Sequence, residues 1–289
     1  MILLAGGTGR LGRALTARLA DQGLAVRVLT RDPARAAHLA GRNVEVTTGD
    51  VRDRASVVSA VSGAAVVVSA VHGFAGPGGV SPATVDWQGN VHLIDAAREA
   101  GAEFVLVSVV GAAADSPMEL SRMKYAAEQY LRASGVSWTI VRATAFLELW
   151  IDVLTKTAAR SGRPVIFGHG NNPVNFVSVT DVAALIEQAI TSPAARGQIL
   201  EIGGPADHTF NQLAAAFQSA AGRTATPRHV PPPILRLMAS TLGRVKPELA
   251  RQAGAALVMD RADLTHDATS IHQAYPGLPS TPLRACLQP

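Results

Sequence analysis

At 289 residues the chain is long enough to bury a full hydrophobic core, which excludes a disulfide-stapled miniprotein. Its one cysteine, Cys286, has no partner for an internal bridge, which suits a reducing compartment. The 26 Lys and Arg against 22 Asp and Glu leave a net charge of +4 with no basic run, so nucleic acid is not an expected partner.

The first strand expected, residues 1–5, begins at Met1 and leaves no space for a leader, and no apolar run reaches about 18 residues. A cytoplasmic protein without membrane contact is the expectation. From there short apolar runs alternate with helix-length segments. Strands are expected at 1–5, 24–30, 43–49, 64–71, 104–110 and 138–142, with helical crossovers at 10–22, 33–41, 53–62, 83–100 and 117–134. The run at 66–71, VVVSAV, lacks polar alternation, as a strand buried on both faces should. The fold class expected is therefore α/β, a doubly wound parallel Rossmann sheet over residues 1–143. Past 143 the rhythm loosens into a helix near 145–160, short strands at PVIFG, NFVSV and QILEIGG, and helices near 231–243 and 247–259. Residues 144–289 are expected to form a smaller α/β substrate-binding region, intertwined with the first and walling the cofactor.

The stretch LLAGGTGRLGRAL places Gly6, Gly9 and Gly12 directly after a strand and at the opening of a helix. Glycines at these places give a tight turn, let the backbone approach a pyrophosphate and let helix pack closely on strand, while free N–H groups face the anion. Gly6, Thr8, Gly9, Arg10, Leu11 and Gly12 are accordingly the expected contacts of a nicotinamide dinucleotide. The second strand ends in Thr30 and Arg31, where an NAD site carries an acidic residue; Arg31, with Arg10, suits a 2′-phosphate. Asp32 follows at once, so NADP(H) is preferred with NAD(H) possible. Asp50 and Val51 close the third strand and are placed against the adenine, with helix capping as the alternative for Asp50. Ser69, Ala70 and Val71 end the fourth strand, where ligands of such folds lie.

The stretches GGTGRLG, GDVRD, VDWQGNVHLIDAAREAG, FVLVSVVGA, SRMKYAAEQYLRASGVSWTIVRATAF and NPVNFVSVTDVA resemble the atypical short-chain dehydrogenases, in particular the NmrA-like NAD(P)H-binding branch, over residues 1 to about 203. The resemblance implies an NAD(P)-linked oxidoreductase with a tyrosine four residues before a lysine. Lys124 matches the lysine, but Leu120 stands where the tyrosine would be. Tyr125 cannot substitute by slippage, because adjacent helix residues point about 100° apart.

Candidate catalytic residues are therefore Lys124 as ribose clamp or proton source, Ser108 at the end of the fifth strand, and His72 as a replacement acid. Phe74, Trp87, Phe146 and Trp150 are candidate walls for a flat substrate, against the plain alternative that they pack in cores. Scattered histidines, the missing GKS or GKT ending and the missing GxSxG elbow speak against metal, phosphoryl-transfer and hydrolase chemistry. The reading is an NAD(P)H-dependent oxidoreductase for a small, readily reduced acceptor such as a quinone, imine, enone or carbonyl, working as monomer or homodimer. The chief alternative is a catalytically silent NADP(H) sensor that regulates a partner protein. A third is an assembly subunit docking through the apolar helix 231–243.

Overall fold

The computed structural model describes residues 1–41, 43–77 and 79–287. In chain order it runs β1 (Ile2–Ala5), α1 (Arg10–Asp21), β2 (Val26–Thr30), a 3-10 turn (Pro33–Leu39), β3 (Val44–Thr48), α2 (Arg54–Val61) and β4 (Val66–Ser69). A π-helical turn (Pro82–Trp87) then leads into α3 (Gln88–Ala100), β5 (Glu103–Val109), α4 (Glu119–Ala133), β6 (Trp138–Ala143), β7 (Ala145–Phe146) and α5 (Leu147–Ala158). The remainder comprises β8 (Val165–Phe167), β9 (Pro173–Val177), α6 (Val179–Thr191), β10 (Ile199–Ile202), β11 (Asp207–Thr209), α7 (Phe210–Ala220), β12 (Arg228–Val230), α8 (Pro232–Thr241) and α9 (Pro247–Met259), with shorter helical turns near the end.

The chain divides into two units. The first holds residues 1–73, 79–143 and 179–202. Its seven strands form one sheet in the order β10-β6-β5-β4-β1-β2-β3, every neighbour pair parallel. This is the doubly wound order, reversing between β1 and β4, and the crevice at that reversal is where ligands of such sheets bind. Leu3, Leu4, Val67, Val68, Leu106 and Ile140 are buried, as strands covered on both faces require. The six strands and five crossovers expected from the sequence are all present, though the crossover after β2 is 3-10 in form and opens on Pro33, with Asp32 as its cap.

Segment 179–202 departs from the expected single cut at 143. The run QILEIGG does not wall the cofactor from the C-terminal half; Ile199–Ile202 pairs in parallel with Ile140–Ala143 as the seventh strand. The reason lies in α6, whose Val182, Ala183, Leu185, Ile186 and Ala189 are all buried and whose Glu187 bonds Arg18 of α1 at 2.7 Å. A helix apolar on so many sides needs cover from a sheet, and it carries β10 back to one.

The second unit comprises 74–77, 144–178 and 203–287. It contains a small sheet β11-β9-β7 and a two-stranded β12-β8 pair around a cluster of Leu147, Leu154, Ile166, Val174, Phe176, Phe210 and Leu213. Among the described residues no helix is long and apolar enough to cross a membrane.

Candidate active site at the carboxyl ends of the strands

The chain leaves β1 through Gly6, whose φ of +90° is left-handed and whose Cβ, if it had one, would lie 2.5 Å from the carbonyl oxygen of Ala70. Only glycine lets this turn pass so close to the end of β4. Gly12 is as constrained: a Cβ there would meet the Gly6 oxygen at 2.2 Å and the Gly7 Cα at 2.5 Å, so α1 sits directly on the turn. The Gly9 N–H closes the turn onto the Gly6 oxygen at 3.0 Å. Gly9 then caps α1 without any side-chain acceptor, and the first turn carries no acidic residue. The N–H groups of Leu11 and Gly12, between this turn and the first helical bond from Arg13 to the Gly9 oxygen, face the place where an anion would approach, and the bare glycines give it room. This cradle fits a dinucleotide pyrophosphate.

At the end of β2, Arg31 is exposed, while the Asp32 carboxylate accepts the Ala34 N–H at 3.0 Å. Asp32 therefore spends itself on capping the next turn. Asp50 is not the helix cap; Asp53 is, accepting from Ala55. The Asp50 carboxylate instead holds Arg52 at 2.6 Å, and that hydrogen bond, with a smaller contribution from the Arg31 charge, lowers its pKa below the ordinary carboxylate value. Val51 is buried against Gly89, where a Cβ would meet its side chain at 2.8 Å.

At the end of β4 the polar groups are buried and joined. The Ser69 hydroxyl donates to Asn90 Oδ1 at 2.5 Å, and Asn90 Nδ2 donates to the Asp86 carbonyl at 2.7 Å. Asp86 and Lys124 are both almost fully buried, their side chains 0% and 5% exposed. Lys124 Nζ donates to the Val71 carbonyl at 2.8 Å and lies 3.1 Å from Asp86 Oδ1, an ion contact without hydrogen-bond alignment. Asp86 Oδ2 accepts the Gly73 N–H at 2.7 Å. His72 lies between these two anchored positions. Crowding by protein lowers its pKa below the ordinary imidazole value and Lys124 adds to this, while Asp86 opposes it. The residue keeps open solvent on its surface, which limits the shift.

Ser108 is placed otherwise than expected. It is 2% exposed and its hydroxyl donates to Glu128 Oε1 at 2.5 Å, so its proton is committed inside the fold and not to a substrate. Ser108, Arg142 and Glu201 are register partners across β5, β6 and β10, forming one row. Arg142 bonds Glu128 through Nε at 3.0 Å and Nη2 at 2.6 Å, and Glu201 through Nη1 at 3.0 Å. The Glu128 bond is the main cause that raises the Arg142 pKa.

The aromatic residues divide likewise. Trp87 packs against the first unit's core, edge-on to Tyr130 with ring centres 5.8 Å apart, a packing role in place of a pocket wall. Trp150 packs on Phe210 at 4.6 Å within the second unit's core. Phe74 and Phe146 are half-buried, Phe74 giving its carbonyl to Arg251 and Phe146 preceding α5.

From the sequence no chemical role falls to Asp86, Asn90, Glu128 or Arg142. A signal existed: Lys124 and Glu128 are four residues apart on α4 and so share a face, and Arg142 is the charged residue of the strand run WTIVRA. Among the described residues no group of three His, Cys, Asp or Glu could hold a metal ion.

Comparison with known proteins accords with this geometry. The chain is 32% identical over 225 residues to the NAD(P)H azoreductase of Xenophilus azovorans, covering 77% of this chain and 74% of that protein. It is 26% identical over 230 residues to quinone oxidoreductase 2 of Escherichia coli (strain K12), covering 78% and 76%. Among solved structures, an NADPH-dependent quinone oxidoreductase from Escherichia coli complexed with NADPH superposes with a TM-score of 0.79 at 23% identity, over 99% of this chain and 98% of that one. The family model described as the NmrA-like family matches residues 1–253, and the chain belongs to that family.

Proposed function

We propose that the protein is an NAD(P)H-dependent oxidoreductase that reduces a small, readily reduced acceptor, with NADP(H) preferred. The observation that carries this reading is the pairing of the Gly6–Gly12 cradle with a buried, charge-paired Lys124 at the ends of adjacent strands. The names of the azo and quinone reductases among its relatives point the same way.

When bound, the dihydronicotinamide supplies a hydride, two electrons and a proton's mass, to the acceptor. The residues of the chain do the rest. Backbone N–H groups at the start of α1 bind the pyrophosphate, and Arg31 with Arg10 meets a 2′-phosphate. Lys124 spends one N–H on Val71 and lies against Asp86, and a further N–H is available for a ribose hydroxyl. The proton that completes the reduction comes from His72, because Leu120 has none to give. General acid catalysis contributes typically 10² to 10⁴-fold. A ketone therefore suffers most from the loss of a tyrosine, and a quinone or azo group, whose reduced form spreads or stabilises its charge, suffers least.

The test is loss of dihydronicotinamide absorbance with NADPH and NADH against quinones, azo compounds, enones, imines and ketones. Turnover with quinone or azo acceptors is expected. Since the acid form of His72 is the active one, turnover should fall as pH rises through its lowered pKa, and His72→Asn should remove that limb. Arg31→Asp should move preference toward NADH. Leu120 also favours a second reading, a silent NADP(H) sensor; tight binding of NADPH with no turnover across the panel would select it.

A further inference from the structure

We infer that Asp86 is a positioning residue, using one carboxylate oxygen to aim the Lys124 ammonium and the other to fix the turn that carries His72. The inference rests on the proposed cofactor role of Lys124. A lysine has a long stem with several rotatable bonds, and its ammonium is a compact point charge with no preferred direction of its own. For Lys124 to hold one ligand oxygen, something must fix the other side of the ammonium. The Val71 carbonyl does so from β4's end and Asp86 Oδ1 does so from the π-helical turn. The same carboxylate grips the Gly73 N–H through Oδ2. Residues 71 and 73 are thereby tied to one ion pair, and His72 stands between them.

The surroundings hold Asp86 itself in place. Asn90, one helical turn on, bonds the Asp86 carbonyl and is held in turn by Ser69 of β4. Ser81 caps the turn through a reciprocal pair with Thr84, and Gly73 runs so close that a Cβ there would lie 2.2 Å from the Ser81 oxygen. A carboxylate needed only to neutralise a buried lysine would require none of the contact to Gly73. One that sets two functional groups at once requires both oxygens, and Asp86 uses both.

The experiment is a double-mutant cycle on the full chain, titrating NADPH itself by fluorescence into wild type, Asp86→Asn, Lys124→Met and the double variant, with thermal melting of each. Asp86→Asn keeps the shape but loses the charge. It should weaken NADPH binding about tenfold, the size of one lost charge-assisted hydrogen bond, and the double variant should bind no more weakly than Lys124→Met alone. In cofactor-free protein, Asp86→Ala should speed hydrogen exchange at the Gly73 amide. If Asp86→Asn does not fold, Asp86→Glu takes its place, expected to keep the charge and a cooperative melt, at a somewhat lower temperature, yet bind NADPH more weakly. Wild-type affinity in the Asp86 variants beside a weakened Lys124→Met, or additive losses in the double variant, would overturn the inference and leave the cofactor reading standing. Failure of the wild type to bind NADPH would overturn both.

Discussion

Two charged side chains on the inner face of α4, four residues apart, have contrasting partners. Glu128 is saturated: it takes the Ser108 hydroxyl and two N–H groups of Arg142, which itself reaches Glu201. Lys124, one turn earlier, has one aligned acceptor and one ion contact for three N–H groups. A saturated buried network fixes strands and helix relative to one another and has nothing left to offer a ligand. An unsaturated one, tied to the Val71 carbonyl at the end of β4, keeps hydrogen-bonding capacity in reserve. Breaking a buried pair leaves a stranded charge, which is costly even when the intact pair adds little net stability.

That contrast can be broken from either side. Arg142→Met strands Glu128 and should cost about 3–5 kcal/mol, read as a lower urea midpoint, with the NADPH affinity of the folded fraction unchanged. If stability survives, the row across β5, β6 and β10 is dispensable and the contrast fails. Lys124→Met should weaken NADPH binding about 10- to 100-fold, or about 1.4–2.7 kcal/mol. It should destabilise less than Arg142→Met, since Asp86 keeps its bond to Gly73. Unchanged NADPH affinity would remove Lys124 from the site.

Ser108→Ala sharpens the comparison, because it takes one donor from Glu128 and leaves Arg142. The expected cost is about 1 kcal/mol in chemical denaturation with turnover unaltered. A large loss of turnover at wild-type stability would restore Ser108 to the chemistry. The exposed pair Asp50–Arg52 supplies the lower bound. Its carboxylate pKa is lowered in the fold, so its stabilisation is present above the unfolded value of 3.8 and is lost as pH falls through the lower folded value. Arg52→Gln should remove that acid limb, which should stay below about 1 kcal/mol.

Much of the first unit was legible because its signals are local. Glycine spacing after a strand, apolar runs of strand length and an interleaved helical rhythm each occupy a few consecutive residues, and β1 to β6 follow from them. Lys124 was legible through the resemblance. Ser108, Trp87 and Ile199–Ile202 were placed otherwise because their partners are distant in sequence: Ser108 meets Glu128, Trp87 meets Tyr130, and Ile199 meets Ile140. A strand-end serine reads the same whether its hydroxyl faces a substrate or a buried carboxylate.

The sequence by itself determined the parallel α/β order, the glycine cradle and the lysine on α4, since short-range sterics and periodicity dictate them. Only the tertiary structure decided which buried charges meet. Whether Lys124 finds Asp86, Glu128 finds Arg142, and 199–202 returns to the sheet depends on register and helix packing between segments that carry no mark of one another. In a low-dielectric interior those meetings separate a charge with hydrogen-bonding capacity left over from one saturated within the fold.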